Sequence, residues 1–276
     1  MDKIALNYGG GASRSLKAFT LAEVLITLAI IGVVAALTIP TTIANYKNQE
    51  IATKLKKSYN TITNAINRAQ VDHGSFASWD FSLQARDFGD RYIFPYLEVV
   101  KKCPANTVLA NVDTDCFKGG TFSLRGSQTS DTASLNSSRH AALLKDGTSV
   151  AITQPLTSMY TFIVDIDGPK GVSTFGRDIF LFYIVKPYSV ELGKTVNWGA
   201  GAVFKFKEKN NSMIYPSGYG LSNGTILASN SVRSCSKADV SNAGTNCAGF
   251  IANNGWKIPS REQYVKLGGD ASLYPW

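Results

Sequence analysis

Apolar and polar positions divide the chain into three stretches. From Phe19 to Ile39 nearly every position is apolar, and Glu23 is the sole charge. As a helix this run measures about 32 Å at 1.5 Å per residue, close to the hydrocarbon thickness of a bilayer. Beyond Pro40 the period changes. Ile51, Leu55, Tyr59, Ile62, Ile66 and Ala69 recur in steps of three or four, while Lys54, Lys57, Asn60, Thr63, Asn64 and Arg68 take the other side. This is an amphipathic helix whose stripe needs a sheet to cover it, and His73-Gly74-Ser75 marks its expected end. Pro40 lacks an N–H and collides with the carbonyl four residues back. It is expected to kink or locally melt the helix.

After residue 73 the period shortens. Arg86–Lys102 reads as a short helix or two, broken near Pro95, and Gly/Asn-punctuated strands follow. "AALLKDGTSVAI" predicts a hairpin, with Asp146-Gly147 suited to a type I′ turn. "YTFIVDIDG" and "RDIFLFYIV" are strand-like runs joined by a Gly/Pro loop. "AVFKFKEKNNSMIY" predicts a second hairpin around Asn210-Asn211, and "LSNGTIL" a further turn at Asn223-Gly224. No repeat of 20–50 residues is present. The pattern predicts an α+β fold, one long helix packed on an antiparallel sheet, with added loops or a small second sheet.

Composition adds compartment and charge. With 44% hydrophobic residues among 276, the chain is long enough for one large domain or two small ones. The formal charge of +8 is spread along it, with a local cluster at Lys54, Lys56 and Lys57. That is a solvated basic surface, or a face for anionic lipid or DNA. The four cysteines, Cys103, Cys116, Cys235 and Cys247, have no C-x-x-C spacing, and the two histidines lie far from them in sequence, which argues against zinc. Two local disulfides, Cys103–Cys116 and Cys235–Cys247, are the better reading, although four cysteines permit three pairings. Disulfides place this part outside the cytosol.

Glu23 is the anomaly, since a charge at membrane depth costs roughly 2.5–3.5 kcal/mol. A secretory signal, cut near "VAA" or "TIA", leaves it unexplained, and so does a plain signal anchor. A cut between Ala18 and Phe19 explains it. The new α-amino group lies four residues from Glu23, and in a bundle of parallel helices Glu23 of one subunit meets the Phe19 amine of its neighbour. An ion pair in low dielectric offsets burial that a lone charge does not.

The run "AFTLAEVLITLAIIGVVAALTIP" resembles the amino terminus of type IV prepilins and of the pseudopilins of type II secretion. Members carry a short basic leader ending in a small residue, then Phe, then Glu as the fifth mature residue, then an apolar helix interrupted by Pro. Phe19, Glu23 and Pro40 fall at those places, and Ala18 stands where Gly is usual. The resemblance implies cleavage after Ala18 and methylation of the Phe19 amine by a prepilin peptidase. It implies a non-enzymatic subunit of a pilus or pseudopilus filament. Its partners would be the peptidase, other pilin subunits and the bacterial inner membrane, crossed once before export to a periplasmic or cell-surface filament. On this reading residues 1–18 are a cytoplasmic leader, 19–40 the membrane half of the helix, 41–72 its amphipathic half, and 73–276 the head. The alternative is an envelope enzyme or binding protein held by an uncleaved anchor. A variant of the filament reading makes the basic head a DNA-uptake or adhesion module.

Few other positions suggest chemistry. Asp165, Asp167 and Asp178 flank "DIDGPKGVSTFGRD", where carboxylates at i and i+2 followed by Gly can wrap calcium. Some pseudopilins carry a calcium loop in this region. The alternative is a polar turn whose Asp residues cap backbone N–H groups. No other cofactor is expected. "GYGLSNG" departs from G-x-G-x-x-G at Asn223 and reads as a turn. His73 and His140 read as surface histidines, and no hydrolase, P-loop or metalloprotease motif is present.

Overall fold

The structure, a computed structural model, describes residues 20–103, 115–117, 121–127, 140–156, 159–186, 195–197, 203–205, 214–230, 233–238 and 242–276. Two compact units divide the chain, Met1–Asn45 and Tyr46–Trp276. Helix α1, Leu21–His73, begins in the first and ends in the second.

In the first unit no described residue is buried, and Leu21, Ile31 and Val33 are 80%, 62% and 62% exposed. In the second, α1 buries Ala52, Leu55, Ser58, Ile62, Ala65, Ile66 and Ala69. The predicted stripe holds, but its centre lies toward the small residues. Ile51 and Tyr59 sit half-buried at its margin, because alanines let the helix backbone approach the sheet.

Among the described residues ten strands follow: β1 Val99–Cys103, β2 Thr121–Phe122, β3 His140–Leu144, β4 Ser149–Leu156, β5 Met159–Asp165, β6 Ser173–Thr174, β7 Ile179–Val185, β8 Thr195–Asn197, β9 Val203–Lys205 and β10 Ile214–Pro216. Six of them form an antiparallel sheet in the order β1-β3-β4-β5-β7-β10. All seven residues of β5 and of β7 are buried, which is why these strands read as continuous apolar runs rather than alternations. Their alternate residues serve two cores. Tyr160, Phe162, Val164, Phe180, Phe182 and Ile184 face the core that holds α1. Ile163, Ile179 and Leu181 face a smaller core with Phe117, Phe175 and Cys103. Burying each such side chain contributes about 1.5–3 kcal/mol. Two small sheets, β2 with β6 and β8 with β9, complete the strands.

Short helices α2 (Ala85–Phe88), α3 (Asn223–Leu227), α4 (Cys247–Asn253) and α5 (Arg261–Lys266) lie in the connections and at the C-terminal end. Between α2 and β1 the chain passes through a π turn, Gly89–Ile93, and a 3-10 turn, Phe94–Tyr96, so Lys101 and Lys102 belong to a strand and not to the predicted helical stretch.

Three other local expectations need correction. The β3–β4 hairpin forms, but Asp146 has a negative φ and only Gly147 is left-handed (φ 88°), so the turn is not type I′. The Asp146 carboxylate accepts from Thr148 N at 3.0 Å, which stabilises the alternative turn. Among the described residues the two arms of the second predicted hairpin belong to different sheets. β10 pairs with β7 and β9 with β8, and Asn210-Asn211 lie outside the described residues. Alternation around Asn-Asn marked two strands but could not tell which partners they take. Asn223-Gly224 opens α3 instead of a turn, since Ser222 Oγ accepts from Thr225 N and caps it.

Candidate functional site

The amino-terminal helix starts at a reciprocal cap. Thr20 Oγ1 accepts from Glu23 N at 3.2 Å, and Glu23 Oε2 accepts from Thr20 N and Thr20 Oγ1, both at 2.8 Å. This is the capping box of Thr-x-x-Glu, which satisfies two otherwise unpaired donors. The sequence reading missed it, although Thr20-Leu21-Ala22-Glu23 carries its signature. Glu23 therefore has a role within its own chain. Both bonds fall on Oε2, and among the described residues none falls on Oε1. Ala18 and Phe19 lie outside the described residues.

Pro40 sits inside α1 without ending it. The expected local melting does not occur. Proline removes one backbone bond, from the Ala36 carbonyl, and the turns on either side persist. Thr38 and Thr42 hydroxyls donate back to Val34 O and Thr38 O, both at 2.9 Å. Among the described residues this helix alone is long and apolar enough to cross a membrane.

In the head, the β5–β7 connection collects the three predicted carboxylates. Asp165 closes β5 and is 1% exposed. Its Oδ2 accepts from Ser173 Oγ at 2.8 Å and its Oδ1 from Asp167 N at 3.1 Å. Burial pushes its pKa up to about 7, with the Asp178 and Asp167 charges adding to the rise. Burial also raises Asp178, whose Oδ2 accepts from Thr174 N at 3.2 Å. Asp167 is exposed and pairs with Lys54 of α1 at 2.6 Å. Lys54 also meets Glu50 at 2.9 Å, and these bonds outweigh its burial and raise its pKa. Among the described residues no group of three His, Cys, Asp or Glu side chains is arranged to hold a metal ion. The cation that faces this cluster is a lysine.

Lys57 makes a second tether, pairing with Asp146 in the β3–β4 turn at 2.7 Å. The basic cluster noted in the sequence thus fastens its own helix to two loops through Lys54 and Lys57, and Lys56 stays exposed. Sequence spacing gave no signal for this, since Lys54 and Asp167 are 113 residues apart.

Cys103 is bonded to Cys116 and Cys235 to Cys247. The first bond belongs to the smaller core and the second lies where α4 begins. His140 is not a surface residue. It is 6% exposed on β3, edge-on to Phe94, with Nε2 3.0 Å from Asp90 Oδ1. Its strand lies between β1 and β4 in the sheet. Burial raises Asp90, but bonds from Lys102 and His140 outweigh it and hold the carboxyl below its usual range. His73 is half-buried between the edges of Tyr92 and Tyr96.

A family model described as a family of unknown function (DUF6613) matches residues 41–264. The chain belongs to DUF6613. A second model, the prokaryotic N-terminal methylation motif, matches residues 14–39. The two matches flank Pro40, so the DUF6613 region takes up the amphipathic part of α1 and most of the head. No curated protein and no solved structure matches the chain. The methylation motif and the long apolar helix make this DUF6613 chain a type IV prepilin-like protein of pilin-like α+β architecture.

Proposed function

We propose that the chain is the precursor of a structural filament subunit, of a type IV pilus or a secretion pseudopilus. It enters the inner membrane through the apolar half of α1, is cut between Ala18 and Phe19 by a prepilin peptidase, and is methylated on the Phe19 amine. Subunits then polymerise with their helices packed together. The observation that carries this reading is the apolar stretch of α1 from Leu21 to Ile39, exposed at every position but Ala35 and coincident with the methylation motif. Such a surface has to be covered by lipid or by other helices. Glu23 supplies register. Oε2 stays in the capping box, and Oε1 accepts from the Phe19 amine of the neighbouring subunit, which balances a charge that helix packing would otherwise bury alone.

Two measurements test this. Amino-terminal sequencing and intact mass of protein from the native membrane are expected to give Phe19, with one added methyl. Retention of Met1 would support an anchored envelope enzyme or binding protein instead. Glu23→Ala is expected to abolish filaments while the head folds normally. Filaments of normal abundance from that variant would remove the pairing.

A further inference from the structure

A groove of about 310 Å³ runs along α1 where no function has been placed. One wall is a single face of the helix, carrying Lys57, Thr61, Asn64 and Arg68. The other wall is the Tyr96–Glu98 segment with the β3–β4 turn. Ala65, Leu97 and Leu144 are buried and make an apolar floor. The volume is at the small end of the range for ligand sites. All of these residues lie in the second compact unit, so the groove stands whether or not the filament reading holds.

Both ends of the groove are fixed by contacts between its walls. Lys57 pairs with Asp146 at one end. At the other, Arg68 Nη1 donates to Tyr96 O at 3.4 Å, and the guanidinium lies 6.0 Å from the centre of the Tyr96 ring. At 1.5 Å per residue, Lys57 and Arg68 stand about 16 Å apart along the helix. Most polar groups in between are already used. Lys145 pairs with Glu98 at 3.9 Å. Lys145 N donates to Glu98 O, Val99 N to Leu97 O and Leu144 N to Thr148 O, each at 2.9 Å. Asp72, one turn beyond Arg68, accepts from Tyr96 OH at 2.7 Å. Three groups remain. Among the described residues no carboxylate comes within ion-pair distance of Arg68, and the Thr61 hydroxyl and Asn64 amide make no hydrogen bond.

These unused groups select a class of ligand. One unpaired cation calls for one anion, which argues against a strand with a phosphate at every residue. An extended peptide needs backbone N–H and C=O groups from a wall, and the wall's backbone groups named above are bonded within the fold. A pyranose needs neither. Its hydroxyls donate and accept, as Thr61 and Asn64 do, and its C–H face suits the apolar floor. A carboxylate on the ring matches the planar fork of an arginine. We propose that this groove binds an acidic sugar, with Arg68 on the carboxylate and Thr61 and Asn64 on the hydroxyls.

The test is calorimetric titration of the full chain in uncharged detergent at low salt. The titrants are digalacturonate, its neutral counterpart galabiose, and tetraglutamate. Digalacturonate is expected to bind at least about tenfold more tightly than galabiose, the difference typical of a charged hydrogen bond. Arg68→Gln is expected to remove that difference, and Asn64→Ala to weaken both sugars. Asn64 is exposed and bonds to nothing in the free chain, so its replacement is expected to leave the melting temperature unchanged, and lost binding will not reflect unfolding. Lys56→Gln, outside the groove, is expected to bind as the parent does. Tighter binding of tetraglutamate than of digalacturonate overturns the assignment to a sugar. So does galabiose binding as tightly as digalacturonate, no binding of digalacturonate, or undiminished binding by both Arg68→Gln and Asn64→Ala.

Discussion

Replacing Asp165 by Asn tests whether the head carries a buried carboxyl that opposes folding once ionised. Asp165 is 1% exposed and its pKa rises from 3.8 to about 7 in the folded chain. At about 1.36 kcal/mol per unit, ionising the folded side chain costs on the order of 4 kcal/mol more than ionising it in the unfolded chain. The sign follows from proton binding. The folded state holds its proton to higher pH, so this contribution to stability is complete below pH 3.8 and is lost as pH rises to about 7. Asn has no charge to bury. Its carbonyl can accept from Asp167 N, and its amide can donate to Ser173 Oγ. Urea unfolding of the full chain in detergent, followed by tryptophan fluorescence from pH 4 to 8 with a chelator present, measures the difference. Asp165→Asn is expected to be more stable than the parent by roughly 2–4 kcal/mol at pH 8, with the two converging toward pH 4. Asp178, also raised by burial, leaves the variant a shallower slope of the same sign. A parent profile flat across this range, together with a variant less stable at pH 8, would refute the reasoning, because Asp165 would then be an ionised, well-solvated hydrogen-bond acceptor.

Three further outcomes follow from the packing. Gly249→Ala places a Cβ against the backbone of Ser217, Gly218 and Tyr219, none of which can yield as a side chain would, and is expected to cost at least about 2 kcal/mol in urea unfolding. Removing the Cys235–Cys247 bond with a double Ala variant opens a loop of 12 residues, and about 3 kcal/mol should be lost on the same assay. With Lys54 seated on Asp167, a chelator is expected to leave the melting temperature of the full chain unchanged. A fall on chelation, reversed by calcium, would show that calcium displaces Lys54 from Asp165, Asp167 and Asp178.

Local rules accounted for much of what was legible beforehand. The membrane-length run, the helical stripe ending at His73 and the strands β3, β4, β5 and β7 depend on periodicity, which neighbouring residues set. The Thr20–Glu23 cap is equally local, a signature four residues wide. Errors collected where the answer needed a partner distant in sequence. β10 left its expected hairpin for β7, since pairing there buries Ile214 against the main core. His140 went inside because Phe94, distant in sequence, packs edge-on to its ring and Asp90 is near enough to satisfy it.

By itself the sequence determined the amino-terminal segment. Hydrophobicity over some twenty positions decides transfer into lipid, and a helix cap reads only adjacent residues. Tertiary structure alone decided the use of the charges. Whether Lys54 stays in solvent or clamps a loop, and whether Asp165 ionises, depend on distances between segments that folding brings close. Electrostatic energy varies with those distances and with the water that burial removes, and neither quantity is written in the order of residues.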